Sequence, residues 1–150
     1  MTRGGATCHI RRPADEVFAF VGDSENNPRW RSNVIETTWL DDGPMRVGRR
    51  GRQVAQILGL RYAVEAEIIE WDPPHHVVWQ TIAGGAKVRS DCRVEPEGDG
   101  CRLTIVSEGE FTSGPLRWLG PIAIRAFKRQ ALADLRRLVA WLESGTEHPA

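Results

Sequence analysis

Residues 115–143, with the sequence PLRWLGPIAIRAFKRQALADLRRLVAWLE, carry the strongest periodic pattern in the chain. From Phe127 on, apolar side chains recur at steps of four, four, three and four residues, which places them on one face of an α-helix. These side chains are Phe127, Ala131, Leu135, Leu138 and Leu142. Pro121 suits the first turn of a helix, so we predict one helix over residues 121–143. It would be about 34 Å long, which matches a strand of about ten residues.

Most of the chain before this helix has the pattern of β-strands. Apolar and polar residues alternate over 86–94 and 101–111, as expected for antiparallel strands with one face on a core and one in water. Gly84-Gly85 and Asp72-Pro73-Pro74 are among the turn signals between strands. We predict strands at 5–11, 34–40, 47–57, 60–71, 76–83, 86–94 and 101–111, with two short helices between the first two strands. Together these elements predict a curved antiparallel sheet that packs around the long helix.

The composition limits the class of protein. A chain of 150 residues suits a single domain, here residues 1–150. Lys and Arg total 20 and Asp and Glu total 20, so no excess positive charge points to nucleic acid and we expect no such partner. No apolar run has the length of a signal peptide or membrane span, and we expect a cytoplasmic protein. The three cysteines lack metal-binding spacing; we expect free thiols, no metal and no cofactor.

Several short motifs, taken in order, resemble one superfamily. They are IRRPADEVFAF at 10–20, Pro28-Arg29-Trp30, Val47-Gly48, IIEWDPP at 68–74 before His76-Val77-Val78-Trp79, and residues 114–116. Their order is similar to that of START, birch-pollen-allergen-like and polyketide cyclase domains, the SRPBCC superfamily. The resemblance covers about residues 6–142. It implies the α+β helix-grip fold, in which a sheet of about six to seven strands grips a C-terminal helix and leaves a hydrophobic cavity. It implies no single chemistry.

The candidate ligand-binding residues are the strand residues whose side chains are predicted to point inward, toward the long helix. Many are small, including Ala66, Ser90, Ser107 and Gly109, and small side chains leave volume that ordinary packing would fill. The alternative is that aromatic side chains such as Phe18, Phe20 and Trp141 fill this space. We predict ligand contacts from Trp30, Gln53, Tyr62, Val64, Ala66, Trp79, Gln80, Ser90, Ile105, Ser107, Phe111, Leu116, Leu119, Ile122, Ala123 and Phe127. Residues 116–124 are the candidate lid, and the helix after Phe127 is the candidate anchor.

No catalytic residue can be assigned from the sequence. The acidic residues of the later strands, such as Glu65, Glu67 and Glu108, fall on the outward phase. The inward polar groups, Tyr62 among them, are neutral and are poor proton carriers near neutral pH. In the strand at 47–57, the sequence does not show which side chains point inward and which point outward. An inward Arg49 or Arg50 could bind a ligand carboxylate, but we favour a solvated face paired with Glu65 or Glu67.

Three functions remain open at this point. The favoured one is binding or transport of a small hydrophobic or amphipathic molecule, such as a lipid, polyketide, isoprenoid or aromatic compound. The alternatives are a polyketide cyclase or dehydratase that uses the same cavity, and a non-enzymatic regulatory interaction domain. Basic residues of the last helix, such as Arg125 and Lys128, could meet anionic lipids, although a solvated face is favoured. The oligomeric state is left open.

Overall fold

The structure is a computed structural model that describes residues 2–144. Its seven strands form a single antiparallel sheet in the order β1-β7-β6-β5-β4-β3-β2. The strands are β1 Thr2–Ile10, β2 Val34–Trp39, β3 Arg50–Ile57, β4 Leu60–Asp72, β5 His76–Gly84, β6 Ala86–Glu97 and β7 Gly100–Phe111. The helices are α1 Ala14–Val21, α2 Asn27–Trp30, α3 Gly114–Trp118 and α4 Gly120–Glu143, with a 3-10 turn at Ser24–Asn26. The predicted helix-grip fold is confirmed.

The end of the chain differs from the prediction in one respect. The predicted long helix is present as α4, and a short helix that was not predicted, α3, precedes it; Leu119 caps both helices. Each of the two helices has a proline in its first turn, a position where the missing N–H costs nothing. Among residues 2–144, no helix combines the length and apolar character needed to cross a membrane.

The hairpin of β6 and β7 has the alternation that the sequence predicts. Val94 pairs with Leu103 and Cys92 pairs with Ile105, and Val94 and Leu103 are fully buried. The alternation fails in β5, where Val77 and Val78 are both fully buried. The register between β4 and β5 shifts at two places. Such irregularities move side chains to the other face of a strand.

The main core lies between the sheet and the C-terminal half of α4. Leu138 and Leu142 are fully buried there and Leu135 is 6% exposed. They share one apolar cluster with Ile10 of β1, Ile68 of β4 and the buried face of α1. Full burial of a leucine contributes about 1.5–3 kcal/mol of gross stabilisation, so this half of α4 fixes the helix to the sheet.

The turn between β5 and β6 depends on a glycine. Gly84 has a φ of 114°, a conformation that L side chains rarely adopt. A Cβ atom at this position would also lie 2.2 Å from the carbonyl oxygen of Ala63. Gly84 therefore lets the end of β5 approach β4 closely.

The two arginines near the start of β3 already pair with acidic side chains. The Arg50 Nε donates to a Glu67 carboxylate oxygen at 3.2 Å, so the favoured pairing on the outer face holds for Arg50. The strand begins at Arg50, not at residue 47. Arg49 precedes it, donates to Asp41 and lies 4.0 Å from the centre of the Trp39 ring. Neither arginine is available to a ligand inside the fold.

Candidate functional site

A cavity of about 290 Å³ lies between α4 and one side of the sheet. Its wall comes mainly from β1, the start of β6, the second half of β7, the segment after α2, and the middle of α4. The wall residues are Gly4, Gly5, Ala6, Trp30, Arg31, Asn33, Tyr62, Ala86, Val88, Ile105, Ser107, Glu108, Gly109, Glu110, Phe111, Ile124, Phe127, Lys128, Ala131, Leu132, Asp134 and Leu135. Most of this lining is apolar.

Small residues on the paired strands β1 and β7 create the volume. Gly4 lies opposite Ser107, and Ala6 lies opposite Ile105. Gly109 continues the small surface toward the end of β7. On the other side of the cavity, α4 presents side chains one and two turns apart, including Phe127 and Ala131. The helix therefore spans a concave part of the sheet that its own side chains do not fill.

The cavity wall adjoins a surface groove near the first turns of α4. A shallower surface groove shares Glu110, Phe111, Ile124 and Lys128 with the cavity wall. Lys128 is exposed, and its aliphatic stem passes close to Gly4, where an added Cβ would lie 2.9 Å from the Lys128 Cε. A ligand would therefore enter between the end of β7 and the N-terminal half of α4.

A buried carboxylate joins α4 to the segment after α2. Asp134 is 2% exposed and accepts hydrogen bonds from the Ser32 backbone N–H at 3.1 Å and the Ser32 hydroxyl at 2.9 Å. It also accepts from Gln130 at 3.3 Å and from Arg137 at 3.1 Å. Arg137 donates in addition to the Trp30 carbonyl oxygen at 3.0 Å. These bonds fix the position of Trp30 and Arg31 relative to the helix.

Trp30 and Arg31, which both border the cavity, each have a buried polar atom without a partner. The Arg31 Nε and the Trp30 Nε1 are buried and have no hydrogen-bond acceptor among the described residues. The Arg31 guanidinium carbon lies 4.5 Å from the centre of the Trp30 ring, within the range of a cation–π contact. Burial lowers the pKa of Arg31 from its ordinary value, while Cys92, Asp134 and Tyr62 act in the opposite direction.

Tyr62 supplies the one phenol in the chain. Burial raises its pKa, and a hydrogen bond from Asn33 and the charge of Arg31 lower it in part. The phenol is therefore protonated at neutral pH. Its ring meets Phe111 edge-on at 5.3 Å between centroids, which fixes its orientation in the wall.

Six of the sixteen predicted ligand contacts lie on the cavity wall: Trp30, Tyr62, Ile105, Ser107, Phe111 and Phe127. Ser90 lies beside the wall, where its hydroxyl accepts from Ser107 at 3.3 Å. Whether these residues contact a ligand stays a prediction.

Other predicted residues face inward but lie away from this wall. The Gln53 side-chain oxygen accepts from Asn27 at 3.1 Å and from Thr37 at 3.3 Å. Trp79 stacks on Trp39 with ring centroids 5.3 Å apart. Val64 is buried and Ala66 is half-buried, and neither borders the cavity. These side chains therefore contact neighbouring residues of the protein and do not border the cavity.

Gln80 and four predicted contacts of the candidate lid do not lie on the cavity wall; the role of residues 116–124 as a lid stays a prediction. Gln80 is exposed and lies opposite Glu67 and Arg89 on the outer face, because it follows Trp79, which packs on the core, and successive side chains of a strand point to opposite faces. Ile122 is 60% exposed. The remaining predicted contacts, Leu116, Leu119 and Ala123, pack with Ile57 in a small second core beside the cavity.

Three polar residues of the wall, Arg31, Asn33 and Asp134, were not predicted from the sequence. Asp134 lies three residues after Ala131 and four before Leu138, so the helical period alone could have placed it on the buried face. Arg31 carries no such signal, because it lies in a connecting segment whose direction is set by contacts with α4. Among residues 2–144, no cluster of three His, Cys, Asp or Glu side chains is arranged to hold a metal ion.

Comparison with known proteins identifies the family. Residues 1–143 match the family described as "Polyketide cyclase / dehydrase and lipid transport". The chain is similar to Uncharacterized protein Rv1546 of Mycobacterium tuberculosis, with 32% identity over 111 residues that cover 72% of this chain and 71% of the relative.

Solved structures share the fold at low sequence identity. The Zhui aromatase/cyclase from Streptomyces sp. R1128 aligns with a TM-score of 0.80 and 12% identity, over 97% of this chain and 96% of that one. A START superfamily protein from Mycobacterium smegmatis aligns with a TM-score of 0.68 and 19% identity, over 95% and 94%. The family match and the shared fold lead to one conclusion: this chain belongs to the polyketide cyclase / dehydrase and lipid transport family of the SRPBCC superfamily.

Proposed function

We propose that this protein binds a small hydrophobic or amphipathic molecule in the cavity under α4. The observation that carries the proposal is the cavity itself, a mostly apolar space of about 290 Å³ with a few polar side chains in its wall. Ligand sites typically have this character: an apolar lining with a small number of polar groups that orient the ligand. The family match, whose description includes lipid transport, supports the same function.

The size of the cavity limits the ligand. Apolar cavities of roughly 150 Å³ bind a molecule the size of benzene, and this cavity has about twice that volume. A molecule with one or two fused rings, or a medium-length acyl chain, would fit the space. Because the cavity wall adjoins a surface groove, a longer ligand could extend out of it.

A cyclase-type activity is the second candidate. The observation in its favour is that Tyr62 and Arg31 both border the cavity and offer hydrogen-bond donors that could stabilise an enolate oxygen. Against it, neither Tyr62 nor Asp134 is well placed to transfer a proton. Burial raises the pKa of Tyr62, and the oxygens of Asp134 already accept four hydrogen bonds. Binding without reaction is therefore the function that we place first. A regulatory interaction domain would not need this internal space, and we place it third.

A matched pair of substitutions on α4 tests the binding proposal. Ala131 and Ala133 are both exposed on α4, but only Ala131 borders the cavity. We expect Ala131→Phe to fill the space and weaken binding of 2-naphthamide or decanamide by more than about tenfold, since it removes most of the contact volume. Ala133→Phe should leave affinity unchanged. Isothermal titration calorimetry with each amide measures both.

Native mass spectrometry of the protein from its own host supplies an independent readout. A bound small molecule that disappears in Ala131→Phe and persists in Ala133→Phe would support the proposal. A clean protein mass, together with no binding of either amide by the wild-type protein, would contradict it.

A further inference from the structure

Arg31 is a charged side chain placed at an apolar wall without a counter-ion in contact. Its Nε is buried and unpartnered, and among residues 2–144 no ion pair or side-chain hydrogen bond engages its guanidinium. The residue keeps some accessible surface although it lies within the body of the protein, because it borders the cavity. A buried cation that lacks a partner lowers stability, so this placement calls for a counter-group from elsewhere.

The neighbours of Arg31 do not neutralise it. Burial raises the pKa of Cys92 to about 12 and also raises that of Tyr62, so both are uncharged at neutral pH. Asp134 is the remaining anionic neighbour, but it already pairs with Arg137 at 3.1 Å. The three charges of Arg31, Arg137 and Asp134 therefore sum to +1 at this end of the cavity.

The two glutamates of the wall do not change this balance. Glu108 lies opposite Arg89 and Glu110 lies opposite Lys87. Both glutamates alternate with the inward-facing Ser107 and Gly109, so their side chains leave the outer face of the sheet. From this alternation we expect their backbone to border the cavity and their carboxylates to lie on the outer face, near Arg89 and Lys87.

Trp30 adds a second unpartnered donor next to Arg31. Its indole N–H is buried without an acceptor, and the residue is 3% exposed and borders the cavity. The Arg guanidinium and the Trp indole both donate and never accept. A ligand group that binds the Arg31 guanidinium must therefore be a hydrogen-bond acceptor, and a negative charge on it would also offset the charge of Arg31.

We propose that the ligand of this cavity is an amphipathic acid, whose apolar body fills the space under α4 and whose carboxylate binds Arg31 beside Trp30. The inference rests on the proposed function, binding of a small molecule in this cavity, and adds the chemical class of its polar end. The contacts of Ser32 with Asp134 and of Trp30 with Arg137 hold the Arg31 segment in place before a ligand arrives. Such preorganisation favours selectivity for one head group.

Paired acids and amides of the same shape test the proposal. The probes are 2-naphthoate against 2-naphthamide and decanoate against decanamide, measured by calorimetry at pH 7.5. We expect the wild-type protein to bind each acid about 10- to 100-fold more tightly than its amide, the range for a buried charge-assisted contact. Arg31→Met keeps an apolar stem against Trp30 and should abolish this preference. Arg31→Lys should retain part of it, because the charge remains but the planar fork is lost.

A charge control and a folding control accompany these variants. Arg52 is an exposed cation on β3 and is not part of the wall, so Arg52→Met should keep the full preference for acids. Thermal unfolding of ligand-free Arg31→Met should occur at or above the wild-type temperature, since the variant removes an unpaired buried charge. A purely structural role for Arg31 predicts a lower unfolding temperature and no change in the ratio of acid to amide affinity.

The outcomes separate the two proposals. Equal affinity of the wild-type protein for acids and amides would overturn the acid proposal and leave the binding proposal standing. Absence of binding for all four probes would count against both. A preference for acids that survives Arg31→Met would show that another group recognises the carboxylate and would overturn the role of Arg31.

Discussion

The two halves of α4 meet the same sheet in different ways. In the C-terminal half, Leu138 and Leu142 are fully buried in the main core with Ile10 and Ile68. In the N-terminal half, Ile124 and Phe127 border the cavity, and Ile122 is 60% exposed. One helix therefore has a densely packed half, from Leu135 onward, and a half that spans open space. We call these the packed half and the cavity half.

The difference shows how a small domain can keep a cavity and remain folded. Filling every internal position would maximise packing, because interiors are normally close-packed. Here the dense contacts are collected at one end of the helix, and the glycines and alanine of β1 leave the other end open. Stability and ligand capacity therefore depend on different residues, which mutations can separate.

The largest expected effect is the loss of a leucine from the packed half. Leu138→Ala should reduce the free energy of unfolding by about 2–5 kcal/mol, because it leaves a void among fully buried neighbours. Ile124→Ala, in the cavity half, should cost less than about 1.5 kcal/mol, since its side chain already borders open space. Urea denaturation of both variants measures the contrast. Equal costs would mean that the two halves are packed alike.

Two glycines extend the comparison to the strands below the helix. A Cβ at Gly100 would lie 2.0 Å from the backbone oxygen of Ile10, next to the packed half, so Gly100→Ala should cost more than about 2 kcal/mol. A Cβ at Gly4 would meet the flexible end of Lys128 at 2.9 Å, and Gly4→Ala should change stability by less than about 1 kcal/mol. Thermal and urea unfolding measure the loss of stability in both variants. A larger loss in Gly4→Ala than in Gly100→Ala would contradict the prediction.

The smallest effect concerns pH and a thiol of the main core. Burial raises the pKa of Cys92 from 9.0 to about 12. In the unfolded chain this thiol loses its proton near pH 9, whereas in the folded protein it keeps it. The contribution of this thiol to the free energy of unfolding is therefore fully present below pH 9. As the pH rises from 9 toward 12, the free energy of unfolding falls by about 1.4 kcal/mol per pH unit. Urea denaturation at pH 8, 9 and 10 measures this slope.

A variant without the thiol isolates its contribution. Cys92→Ala should unfold with a shallower dependence on pH between 9 and 10, since one ionisable group fewer distinguishes the folded and unfolded states. If the variant has the same slope as the wild-type protein, the loss of stability comes from other groups.

The sequence predicted the architecture because its patterns are local. The steps of four, four, three and four residues identify α4 without knowledge of its partners. The alternation in β6 and β7 likewise sets which side chains share a face, as the pairing of Val94 with Leu103 confirms. The same reasoning fails at the start of β5, where two consecutive buried valines break the alternation.

The polar end of the cavity could not be predicted in this way. Arg31 is brought to the wall by bonds between Ser32 and Asp134, residues separated by 102 positions in the chain. No local pattern contains that contact. Asp134 itself does satisfy the helical period, yet a charged residue on an apolar stripe is easily assigned to the solvent side. Long-range contacts therefore decide the chemistry of the site, while local patterns decide the scaffold.

The composition of the cavity wall has a consequence for the order of folding. The wall joins β1 to β7 and then to α4, which are among the first and last elements of the chain. Hairpins within β3–β6 can pair as soon as they are made, because their partners are adjacent in sequence. Contacts between distant segments form later, since closing a long loop costs entropy. During synthesis the meander would therefore precede the pocket, and the ligand would first meet a chain whose two ends have already come together.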